Sequence, residues 1–154
     1  MSFLKLQNLS THFPVRGGGL VSRQTEIIKA VDGVSLEIGQ GEILGLVGES
    51  GCGKSTLSRT VMQLQPATSG TVTLNGEELT SLPKKEIRSR RLDFQMIFQD
   101  PYASLNPRMT VFSTLAEALC QRHPVLKKDK TLTSKVVELM TTVGLDPRFM
   151  KKYP

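Results

Sequence analysis

The feature that most constrains this chain is Gly48-Glu49-Ser50-Gly51-Cys52-Gly53-Lys54-Ser55, which satisfies G-x-x-x-x-G-K-[ST] at every fixed position. Its glycines let the backbone turn successive N–H groups into one concavity, where they face an anion. Before it, Glu42-Ile43-Leu44-Gly45-Leu46-Val47 is a nearly continuous apolar run, expected as a strand buried on both faces. After it, residues 54–62 lack Gly and Pro, and Leu57, Val61 and Leu64 fall at helical spacing, so a helix begins where the loop ends. The helix N-terminus adds partial positive charge, Lys54 a mobile cation and Ser55 a hydroxyl suited to Mg²⁺. A random chain of this length matches the pattern roughly once in a couple of hundred. Strand, loop and helix together point to a bound nucleoside triphosphate.

The rest of the chain reads as one α/β domain. Its 154 residues and 38% hydrophobic content suffice for one core and exclude a disordered tail. Leu4-Lys5-Leu6-Gln7-Asn8-Leu9 alternates like a half-buried strand that Pro14 closes. Residues 16–26, with Gly17, Gly18 and Gly19, are expected as a surface excursion, and Val34-Ser35-Leu36-Glu37-Ile38 as the next strand. Thr71-Val72-Thr73-Leu74 followed by Asn75-Gly76 is a strand with a tight turn. Residues 84–91 are a short basic helix opened by Pro83, and residues 94–98 an apolar strand. Helices are expected over 111–119 and over 131–143. In the latter, Leu132, Val136, Met140 and Val143 share a face and Gly144 is the stop.

Lys and Arg (20) exceed Asp and Glu (14), leaving +6, a balance that suits phosphates, acidic lipid or an acidic partner without choosing among them. No stretch approaches the roughly 20 apolar residues of a membrane-spanning helix, and no secretory signal opens the chain, so a cytoplasmic protein is expected. Cys52 and Cys120 lie far apart without ligand spacing, which favours reduced thiols over a disulfide or zinc site. Neither His12 nor His123 has an identifiable partner as a base or ligand. The basic residues over 84–91 lack an aromatic platform or groove-reading motif, so a solvated helix face is preferred to nucleic-acid binding.

The loop residues, with Ala30-Val31-Asp32-Gly33-Val34-Ser35-Leu36 upstream and Gln95-Met96-Ile97-Phe98-Gln99-Asp100-Pro101-Tyr102-Ala103-Ser104-Leu105-Asn106-Pro107-Arg108 downstream, resemble an ABC transporter nucleotide-binding subunit. The stretch over 98–107 is similar to the oligopeptide and dipeptide importer ATPases. The resemblance covers essentially the whole chain. It implies a P-loop NTPase domain of ABC type, N-terminal portion, with an ATP-binding core over 1–99 and a Q-loop with the start of a helical subdomain over 100–154.

It further implies that Lys54 and Gln99 are catalytic, and that Ser55 and Gln99 hold Mg²⁺. The ATP contacts would be Phe13, Gly48, Ser50, Gly51, Cys52, Gly53, Lys54, Ser55 and Thr56, with Phe13 stacking on adenine. Gln99 suits its role because a carboxamide accepts from water or metal and donates to phosphate while uncharged. The partners implied are membrane permease subunits and a second ATP-binding subunit, at the inner face of the membrane. The resemblance also implies a signature Ser-Gly-Gly-Gln segment, a strand ending Asp-Glu and a switch histidine, none of which occurs in residues 1–154. Lys151-Lys152-Tyr153-Pro154 resembles the approach to the signature, so a truncated subunit with very slow hydrolysis, low stability and self-association is expected. Two rivals stand beside this reading: a soluble ABC ATPase outside transport, and a truncated module that binds nucleotide without hydrolysing it.

Overall fold

The structure, a computed structural model, describes residues 2–16, 25–100 and 104–154. The glycine excursion over 17–24 and Pro101-Tyr102-Ala103 of the downstream stretch lie outside the described residues. The chain divides into two compact units, Met1–Gln95 and Met96–Pro154.

The first unit is built on an antiparallel sheet of strands β1 (Ser2–Arg16), β2 (Thr25–Gly39), β3 (Ser69–Leu74) and β4 (Glu77–Glu78), in the order β2-β1-β3-β4. Apolar residues of β1, β2 and β3 (Leu6, Leu9, Val31, Val72) meet Leu57 of helix α1 (Lys54–Val61). Leu79, in the turn after β4, and Ile87 of helix α2 (Lys84–Ser89) complete this core. The Asn75-Gly76 turn forms as expected, with φ of +48° and +84°, the paired positive values of a tight hairpin.

A fully buried hydroxyl pair ties α1 to the sheet, Thr11 Oγ1 to Thr60 Oγ1 at 2.8 Å. Thr60 spends its own hydrogen on the Thr56 carbonyl, so Thr11 is the donor between them. A second constraint lies at Gly70, where φ is +83° and an added Cβ would overlap the Asn8 carbonyl oxygen. There β1 bulges, with Asn8 at φ +46° and the β1–β3 register shifting between Gln7 and Ser10.

Three expectations for this unit need correction. Strand β1 does not stop at Pro14 but runs to Arg16. Its pairing with β3 ends at Ser10, so Pro14 faces only β2, and the free edge tolerates the missing N–H. Residues 42–47 form no strand, and Ile43 and Val47 are 96% and 91% exposed. A strand buried on both faces needs a partner strand and covering layers. Among the described residues, none of the four strands pairs with 42–47. Leu64, placed on the α1 face by spacing, lies beyond the helix end and is exposed.

The second unit packs helix α3 (Val111–Arg122) against helix α4 (Leu132–Thr142) through Ala116, Val136 and Met140. Thr110 caps α3 by accepting from the Ser113 N–H. α4 ends in a Schellman turn: Gly144 (φ +73°) donates to the Thr141 carbonyl and Leu145 to that of Met140. That turn corrects a fourth expectation, since Val143 falls outside the helix and is 69% exposed, while Leu145 packs on the core instead. The apolar segment Met96-Ile97-Phe98 is not a strand either, and Ile97 is 97% exposed.

Two outcomes follow from this architecture. Gly70→Ala combines a positive φ with a backbone overlap and is expected to cost at least about 3 kcal/mol in urea unfolding. The uncovered apolar residues make the 154-residue chain associate with rising concentration in sedimentation velocity, and Ile43→Lys with Val47→Lys is expected to reduce that association.

Candidate phosphate-binding site

The site is assembled where β2 loses its regular pairing. Thr11 faces Val31 and the next residue, His12, faces Lys29, so Ala30 is the extra residue of a bulge in β2. The loop meets the sheet at this point. A Cβ on Gly53 (φ +97°) would overlap the Ala30 carbonyl oxygen and approach Val31. Gly53 is therefore required twice over, by its left-handed conformation and by backbone contact.

Gly53 also occupies the N-cap of α1 with no side-chain cap, and the first turn carries no acidic residue. The first N–H groups of α1 thus remain available and the positive end of the helix dipole is not neutralised locally. Gly51 (φ +84°) turns the loop, and the Cys52 N–H donates to the Glu49 carbonyl at 3.3 Å. The Lys54 ammonium folds back across the loop, donating to the Gly48 carbonyl at 2.7 Å and the Glu49 carbonyl at 2.6 Å. The Cys52 thiol, which is exposed, lies 3.5 Å from the same ammonium.

Ser50 and Ser55 are exposed and Thr56 is half-buried. The Ser55 hydroxyl has no partner among the described residues, so it is available to a metal bound beside the phosphates. These features fit a polyphosphate with its cation: free N–H donors, a mobile ammonium, a spare hydroxyl and no carboxylate in the helix's first turn.

Phe13 is half-buried on β1, directly across from Ile28 of β2, two residues along the strand from Ala30. The structure therefore brings the loop, the start of α1 and the strand pair bearing Phe13 into one unit. Gln99 belongs to the second unit and is exposed, in a segment without regular structure.

Sequence reading assigned His12 no partner, and the hairpin register supplies one. His12 Nε2 lies 3.0 Å from the Asp32 carboxylate, which also accepts from Lys29 at 3.1 Å. Lys29, and after it His12, hold the Asp32 carboxyl below the usual carboxylate range. Spacing alone could not find this triad, because it depends on the Ala30 bulge. No cluster of metal-ligating side chains occurs among the described residues.

Comparison with known proteins places the chain in a family. The chain is 42% identical over 154 residues to the oligopeptide transport ATP-binding protein AppF of Bacillus subtilis, covering 99% of this chain and 46% of that protein. It is 45% identical to OppF, an oligopeptide transport ATP-binding protein of Escherichia coli, over 98% of this chain and 45% of the relative. The glutathione import ATP-binding protein GsiA of Pectobacterium atrosepticum is 42% identical and is covered over 24% of its length. The chain thus spans less than half the length of these relatives.

A solved ATP-binding cassette, MJ0796, described as a dimer in a post-hydrolysis state bound to ADP and Pi, matches with a TM-score of 0.71. It covers 98% of this chain and 61% of that one at 24% identity, a likeness of fold. The family profile described as ABC transporter matches residues 31–153, from the strand beside the glycine loop to the end of the helical unit. The chain belongs to the ABC transporter family.

Proposed function

We propose that this chain is the nucleotide-binding part of an ATPase subunit that powers an ABC importer for peptides or similar solutes. The observation that carries the reading is the junction at Gly53. There an uncapped helix N-terminus, a glycine loop and the Lys54 ammonium come together.

In this role Lys54 leaves the Gly48 and Glu49 carbonyls for the β- and γ-phosphates of ATP. The N–H groups of the loop and of Lys54, Ser55 and Thr56 hold phosphate oxygens. Ser55 would hold Mg²⁺ through its hydroxyl, and the metal would supply charge neutralisation for phosphoryl transfer; Gln99 enters this reading as a metal ligand through the resemblance of residues 98–107. Lys54 would stabilise charge on the transferred group, and the resemblance of residues 98–107 gives Gln99 the role of orienting water. Phe13 stacks on the adenine ring. The glycines at 48, 51 and 53 allow the close approach, with Ser50 and Cys52 on the loop rim.

The complete protein would pair with a second ATP-binding subunit and with membrane permease subunits at the inner face of the membrane, without nucleic acid. Supporting this are the oligopeptide and glutathione importer subunits among its relatives. Among the described residues no helix is long and apolar enough to cross a membrane, consistent with attachment through partners. Residues 1–99 would form the ATP-binding core and residues 100–154 the Q-loop with the start of the helical subdomain.

Two binding measurements test this. Lys54→Ala is expected to weaken binding of a fluorescent ATP analogue about 10- to 100-fold, the scale of charge-assisted hydrogen bonds. Equal affinity of the two proteins would exclude the loop as the phosphate site. Phe13→Ala is expected to weaken ATP about fivefold or more through lost stacking, and to leave pyrophosphate binding unchanged.

A further inference from the structure

At the far end of α1 from the phosphate loop, the structure holds a groove of about 670 Å³ between α2 and the loop that follows α1. No Asp or Glu lines it. Lys84 and Arg88 do, four residues apart and hence on one face of α2. Among the described residues neither takes part in an ion pair, whereas Arg90 pairs with Glu77 and Arg148 with Asp146. Two cations of like sign at this spacing repel each other, and an anion between them removes that cost.

Both walls are held in place without a ligand. α2 is anchored by Ile87, 7% exposed within the core. The opposite wall is pinned by a Thr68 N–H bond to the Ser10 carbonyl at 2.7 Å and by the Thr68 hydroxyl, which accepts from the His12 N–H at 2.8 Å. Arg91 lines the groove but is committed elsewhere. Its guanidinium donates to the Met62 and Gln63 carbonyls at the C-terminus of α1 and lies over the Phe94 ring. Among the described residues the free positive charge of the groove is therefore that of Lys84 and Arg88, set beside Ser69 and the apolar residues Pro66, Leu82 and Ile87.

We propose that this groove binds a phosphorylated small molecule, its phosphate held by Lys84 and Arg88 and its organic part lying on these apolar residues. The volume exceeds what a lone phosphate needs and lies within the range of small-molecule sites. The eight residues of α1, about 12 Å of helix, separate this groove from the phosphate loop. The inference is thus independent of how the loop itself is read.

Inorganic pyrophosphate is the probe, titrated calorimetrically into the 154-residue chain carrying Lys54→Ala to weaken the phosphate loop. One saturable site is expected. Adding Lys84→Gln and Arg88→Gln weakens it at least tenfold, and adding Lys85→Gln, whose side chain does not line the groove, leaves it unchanged. No saturable binding, or equal losses from the two sets, overturns the proposal. With no substitution at all, saturating pyrophosphate is expected to slow acetylation of Lys84 at least threefold more than that of Lys85, read by peptide mass spectrometry. Equal slowing of the two lysines also overturns it.

Discussion

The contact between Gly53 and the Ala30 carbonyl is the point on which the first unit's geometry turns. A regular β2 would keep that carbonyl in the ladder with β1. The bulge at Ala30 takes it out of register and lets the loop backbone approach more closely than any side chain permits. From that contact the direction of α1 follows, and Thr11 and Thr60 fix its far side through a buried hydroxyl bond. Loop position, helix direction and sheet irregularity are therefore one structural event.

Helix α1 organises charge at both of its ends. At the N-terminus no side chain caps the helix and its first turn holds no acidic residue, and Lys54 is bound to the Gly48 and Glu49 carbonyls and the Cys52 thiol of the loop, partners it can exchange for phosphate. At the C-terminus the carbonyls of Arg59, Thr60, Met62 and Gln63 accept hydrogen bonds. Gln63 in the left-handed conformation closes a Schellman turn, and Arg91 donates to the last carbonyls. The helix is thus finished at one end and left open to an anion at the other, an asymmetry that suits a phosphate site. The cost at Gln63, a non-glycine residue at φ +51°, is offset by these bonds.

How far the sequence could be read depended on whether a signal was local. The Asn75-Gly76 turn, the start of α1 after Gly53 and the stop at Gly144 were legible because each depends on backbone conformations that particular residues favour. The apolar runs over 42–47 and 94–98 show the opposite case. Their composition reports that burial is wanted, but burial requires neighbours, and among the described residues 42–47 has no strand beside it. Pro14 misled for a related reason, because its cost depends on whether the strand is paired on both sides at that position. His12 found its partner only through a shift of one residue in the register of the hairpin.

The sequence by itself determined that this chain carries a glycine-rich G-x-x-x-x-G-K-[ST] loop followed by a helix, and its wording resembled the ABC transporters. Eight residues of fixed chemistry sufficed, since glycine freedom, a lysine and a hydroxyl are properties of residues rather than of their surroundings. Only the tertiary structure decided where the loop is seated, which carbonyl requires Gly53 to be glycine, and that Lys84 and Arg88 face a shared groove while Arg91 is spent on a helix end. These are relations between segments distant in the chain. Spacing along a strand or helix carries no information about a bulge or about which cation finds a carbonyl first.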